Sequence, residues 1–139
     1  MKIQWIEFQN LDTGLKIERI NFNRDVTLLV GLSGAGKTQI LNAVEYSLRL
    51  AVDKEIELKP YKVGIGFQIQ KETYEWFYEI NQASEDGILE EEPSYEFIEE
   101  KLIKNGITVF CREGATVEIR GYAKVPYPKK KESLILQYS

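Results

Sequence analysis

The spacing of apolar residues changes twice along this chain, and each change predicts a different kind of element. Residues 2–8 ("KIQWIEF") and 15–22 ("LKIERINF") are β-branched and aromatic segments. They are joined by "QNLDTG", whose Asn, Asp and Gly favour a turn. Residues 26–30 ("VTLLV") form an unbroken apolar run, which suits a central strand covered on both faces. From residue 37 to about residue 51 the period becomes helical: Ile40, Leu41, Val44, Leu48 and Ala51 make one stripe opposite Gln39, Asn42, Glu45 and Arg49. That stripe is expected to pack on the sheet.

Beyond "DKEIELKP" the pattern is strict alternation, with Val63, Ile65, Phe67 and Ile69 on one face and then Tyr74, Trp76, Tyr78 and Ile80 in the next run. Residues 71–73 between them are short enough for a hairpin. Asn105-Gly106 supplies the positive φ angles of a second tight turn. Tyr95, Ile98 and Leu102, before that turn, would also fall on one face of a helix after Pro93, but the turn favours a strand. "EGATVEIRG" adds one more strand after Arg112. There is no internal repeat and no low-complexity tract. The expected fold class is α/β, the N-terminal lobe of a P-loop NTPase: a central strand, a phosphate loop and one main helix, followed by an antiparallel β meander.

The chemistry is concentrated where the apolar run meets the helix. Gly31-Leu-Ser33-Gly34-Ala35-Gly36-Lys37-Thr38 matches the phosphate-loop pattern G-x-x-x-x-G-K-[ST], in the context of a strand before it and an amphipathic helix after it. Small residues let backbone N–H groups converge on a phosphate, and the helix start adds unpaired N–H groups and a positive dipole end. Lys37 is positioned by the pattern for the β- and γ-phosphates, and the Thr38 hydroxyl for Mg²⁺. With Gln39 next in line, Gly31, Ser33, Gly34, Ala35, Gly36, Lys37, Thr38 and Gln39 are the expected contacts to ATP, and Thr38 is the metal ligand.

Hydrolysis needs a further element, an apolar strand ending in an acid that holds Mg²⁺. The nearest string, "LAVDKE" at residues 50–55, directly follows the helix and reads better as its end and a solvated loop. The patterns N-K-x-D and D-x-x-G of small GTPases are absent, and so is a second LSGG-type segment. A small phosphotransferase is disfavoured for want of a second acid strand and an arginine-bearing lid.

Composition narrows the alternatives. At 139 residues the chain is one domain's worth, and 43% apolar with 29% charged residues is ordinary for a globular protein. No apolar run is long enough for a transmembrane helix and no secretory signal opens the chain, so no membrane association is expected and the cytoplasm is the expected compartment. With one cysteine and no histidine, intramolecular disulfides, zinc sites built on those residues and histidine acid–base catalysis are excluded. Cys111, within "ITVFC", is expected to be a buried structural thiol. The net charge of −4 argues against non-specific attraction to nucleic acid. Residues 84–100 carry eight acids and no base, whereas residues 129–131 are three consecutive lysines; both runs read as solvated loop.

Taken together, "MKIQWIEFQNL", "INFNRDVTLLVGLSGAGKTQILNAVEYSL", "EKLIKNGITVFCR" and "KKKESLIL" resemble the N-terminal lobe of the ATP-binding-cassette ATPases of the SMC and RecF type. That group includes the OLD-like and Septu-type "AAA family" ATPases of bacterial defence systems. The resemblance covers most of the chain, but the phosphate loop is its specific part. It implies a homodimer closed over ATP in the complete protein, with DNA or a nuclease as partner. It also makes Gln137, at the end of "SLILQ", the candidate for the Q-loop glutamine that contacts Mg²⁺ and the attacking water. Asp12 stands where many relatives carry an Arg, which puts a contact from that turn in doubt. The helical lobe, signature motif and acid-ended strand are missing, so residues 1–139 are expected to be the N-terminal piece of a longer ATPase. The alternative is a non-catalytic nucleotide-binding or protein-interaction module.

Overall fold

Eight strands follow one another mostly through short turns, and this connectivity decides the architecture. The computed structural model describes residues 1–22, 34–82, 94–122, 124–127 and 129–137. The strands are β1 (Lys2–Asn10), β2 (Lys16–Asn21), β3 (Tyr61–Ile69), β4 (Glu72–Gln82), β5 (Tyr95–Lys104), β6 (Ile107–Glu113), β7 (Thr116–Ile119) and β8 (Val125–Pro126). They form one sheet in the order β2-β1-β3-β4-β5-β6-β7-β8, and every pair is antiparallel. One α-helix, α1 (Gly34–Leu50), and a short 3-10 helix (Leu134–Gln137) complete the described elements.

The expected α/β fold, with a central strand of a P-loop NTPase, is therefore corrected: the described residues form predominantly an antiparallel sheet with one α-helix, not a fold built on a central parallel sheet. The physical reason lies in the connections. Hairpins can join only antiparallel neighbours, and a parallel pair needs a long crossover. The longest connection, through α1, delivers β3 to the free edge of β1 in the antiparallel sense. The "VTLLV" strand expected at residues 26–30 lies outside the described residues.

The meander itself follows the alternation read from the sequence. Val63, Ile65, Trp76, Tyr78 and Ile80 are all buried, and the run before Asn105 is strand, not helix. Asn105 and Gly106 have φ of 50° and 80°, the left-handed pair that a tight hairpin requires. The Asn105 side-chain oxygen accepts the Thr73 N–H at 2.9 Å, tying the two hairpins together. On the opposite face, Gly66 leaves room for an indole. A Cβ there would collide with the Trp5 indole, so Trp5 lies across the glycine with the Arg19 guanidinium 3.6 Å above its ring.

Helix α1 is rotated from its expected orientation. Its buried face is Ile40, Ala43, Tyr46, Ser47 and Leu50, while Leu41 and Leu48 are 60% and 39% exposed. At roughly 100° per residue, this places the buried arc about 90° from the stripe read in the sequence. Polar anchors explain the turn. Tyr46 Oη accepts the Lys59 N–H at 2.9 Å and donates to the Glu57 carbonyl at 3.0 Å, and its ring meets Tyr61 edge-on. Ser47 Oγ shares a 2.8 Å hydrogen bond with Tyr78 Oη on β4. A hydropathy stripe counts Tyr46 and Ser47 as neutral or polar, so it misses the face they hold down.

Among the described residues no helix is long and apolar enough to cross a membrane.

Candidate functional site

The phosphate-loop motif is divided by what the structure describes. Gly31 and Ser33 lie outside the described residues. Gly34, Ala35 and Gly36 form the first turn of α1 with Lys37, and that turn carries no acidic residue. Lys37 and Thr38 are exposed, and Gln39 is half-buried. The first turn of a 17-residue helix has N–H groups without intrahelical partners, and Lys37 and Thr38 follow there in the helix. That arrangement suits a phosphate group and its metal ion, because nothing negative competes in the first turn.

The other sequence candidates fare differently. Gln137 ends the 3-10 helix (Leu134–Gln137), not a strand, so the strand-end position that suggested it is absent. Residues 50–55 close the helix: the Asp53 N–H bonds the Arg49 carbonyl at 2.8 Å and the Asp53 carboxylate accepts the Glu55 N–H at 2.9 Å. Asp53 is a turn residue. Cys111, expected in the core, is half-buried, since the neighbours that fill the core from β6 are Phe110 and Arg112. Partial burial and the nearby acids Glu113 and Glu118 push its thiol up from the ordinary value, away from reactivity.

Sequence reasoning missed a buried ionic cluster. Glu100 on β5 and Arg112 on β6 are direct cross-strand partners, both fully buried, with Nη2 3.6 Å from Oε1. Glu100 Oε2 accepts the Trp76 indole N–H at 2.9 Å and the Ser133 hydroxyl. Its Oε1 accepts the Leu134 N–H at 2.8 Å. Arg112 Nη2 donates to the Glu132 carbonyl at 2.7 Å. The guanidinium lies between the Phe97 and Tyr127 rings, 5.2 and 5.0 Å from their centroids. Its Nε and Nη1 have no hydrogen-bond partner among the described residues. The cluster clasps residues 129–137 to the sheet, with the Phe97 N–H bonding the Lys130 carbonyl at 2.8 Å.

Burial sets the titration of these groups. Desolvation raises the Glu100 carboxyl above its usual range, against the pull of Ser133, the Leu134 N–H, Arg112 and Trp76. Desolvation likewise lowers Arg112, and Glu100 opposes that shift. On α1 and β4, burial pushes the Tyr46 phenol up to about 12 and the Tyr78 phenol well above its ordinary 10. A phenol whose folded value is raised keeps its proton while the unfolded chain loses it, so its stabilisation is complete below pH 10 and is lost above. Unfolding by urea is therefore expected to become easier between about pH 10 and pH 12, by up to about 1.4 kcal/mol per pH unit from Tyr78. Tyr78→Phe should flatten that slope, and an unchanged slope would refute the assignment.

Comparisons with protein-family models, with curated proteins and with solved structures found no match. The resemblance to the SMC and RecF group rests on the quoted segments alone.

Proposed function

We propose that this chain binds ATP with Mg²⁺ through Gly31, Ser33, Gly34, Ala35, Gly36, Lys37, Thr38 and Gln39, and that it is the N-terminal nucleotide-binding lobe of an ABC/SMC-like ATPase. The observation that carries the reading is the pattern G-x-x-x-x-G-K-T running into the acid-free first turn of α1, with Lys37 exposed. In the complete protein, ATP binding and hydrolysis would be coupled to DNA or to a partner nuclease, in the cytoplasm. No acid-ended strand can be read in the sequence, so residues 1–139 are assigned binding with negligible turnover.

Titration calorimetry with ATP–Mg²⁺ tests the site. Lys37→Ala removes a charge-assisted contact of the kind that contributes about 1.5–3 kcal/mol, so affinity should fall roughly 10- to 150-fold. Thr38→Ala should weaken binding in the presence of Mg²⁺ more than in its absence. Folded wild-type chain that takes up no ATP would sink the assignment.

A further inference from the structure

Part of the apolar stripe that the sequence offers as the core side of α1 is left at the surface, although Ile40 is buried. Leu41, Leu48 and Val52 are 60%, 39% and 76% exposed, and Val44 is half-buried between them. Leu41, Val44 and Leu48 recur every three or four residues, so they fall within one face of the helix, about 10 Å long, and Val52 follows in the turn just past its end. The same face borders a groove of about 460 Å³ between α1 and the sheet, whose floor includes Phe67 and Tyr74. Met1 and Ile69, 68% and 43% exposed, extend its rim. A contiguous apolar face of this kind on a folded domain marks an interaction site.

The charges beside the stripe identify the occupant. Glu45 and Arg49 are both exposed on one flank of it, and among the described residues neither side chain has an ion-pair partner. Set two copies of α1 antiparallel about a two-fold axis, with Val44 against the partner's Leu48 and Leu41 facing the C-terminal end of the partner's helix. Glu45 then faces the partner's Arg49, and the symmetry repeats the pair. Sliding one helix by a turn in either direction opposes Glu45 to the partner's Glu45, or Arg49 to the partner's Arg49. One register therefore satisfies both the apolar stripe and the charges, which is how polar flanks select alignment in paired helices.

We propose that this face of α1 is a homodimer interface, formed by antiparallel packing of α1 on α1 and fixed by reciprocal Glu45–Arg49 pairs. It is distinct from a dimer closed over nucleotide. Antiparallel pairing carries the two Lys37 ends apart by about the length of the helix, roughly 25 Å, so association is independent of ATP and stands whether or not the chain binds it.

Sedimentation equilibrium on the full chain, with and without ATP–Mg²⁺, tests this. The wild type is expected to dimerise equally in both. Glu45→Arg and Arg49→Glu each place like charges across the interface and should weaken dimerisation at least about tenfold. The double variant restores both pairs with reversed sign and should recover most of the wild-type affinity. These side chains are exposed, so circular dichroism should be unchanged in all three. A wild type that stays monomeric at ~100 µM, a dimer that needs nucleotide, or a double variant no better than the singles would overturn the proposal.

Discussion

Arg112→Met is expected to lower folding stability by about 3–5 kcal/mol, because it leaves Glu100 buried beside Trp76 and Ser133 with no counter-charge. The loss has a pH signature. A carboxyl whose folded value is raised holds its proton more tightly than in the unfolded chain, so its penalty disappears as pH falls through that folded value. Burial already raises Glu100 with Arg112 present, and removing the cation raises it further. Urea denaturation should therefore find the Arg112→Met defect larger at pH 8 than at pH 5. Replacing both members, Glu100→Leu with Arg112→Met, removes the uncompensated charge and should recover most of the stability, as buried pairs exchanged for apolar side chains generally do. A single variant as stable as wild type, or a defect that grows on acidification, would show that the cluster is not the ionised pair inferred from its geometry.

Phe97→Ala is expected to cost a similar amount, about 3–5 kcal/mol, by a different route. The ring is fully buried, packs edge-on to Tyr78 at 6.2 Å and lies 5.2 Å from the Arg112 guanidinium. Deleting it opens a cavity and removes one of the two aromatic surfaces that flank the guanidinium. The effect should be local before it is global. The ring flanks the Arg112 guanidinium that bonds the Glu132 carbonyl, so amide exchange in residues 130–135 should speed up more than in β3 or β4. Because Phe97 and Arg112 touch, their combined loss should be smaller than the sum of the single losses. Strict additivity would mean that ring and guanidinium act independently.

What could be read from the sequence follows the physics of each element. The strands of the meander were legible because one face is buried and the other is not, so period-two alternation survives in Val63, Ile65, Trp76 and Tyr78. The Asn105-Gly106 turn was legible because few residue pairs tolerate its backbone angles. The helix was legible as a helix, but its orientation was not, because Tyr46 and Ser47 hold it through hydroxyl groups that a hydropathy pattern discounts. The Glu100–Arg112 cluster was hidden for the same reason. An acid and a base at core positions look like surface until pairing shows them opposite each other, with Ser133 arriving from more than thirty residues away. The fold class was misjudged because a glycine loop before a helix suggests a parallel sheet, whereas the hairpins dictate an antiparallel one.

The order β2-β1-β3 places side by side two strands that are not consecutive in the chain. The β3–β4, β5–β6 and β6–β7 pairings zip up from tight turns, but Lys2 must find Gln68 and Asn10 must find Tyr61 across the whole excursion that carries α1. Chain entropy opposes that closure more than any other step in assembling the sheet. The first two strands are thus held to the remaining six by the pairing of β1 with β3, not by a turn of the chain.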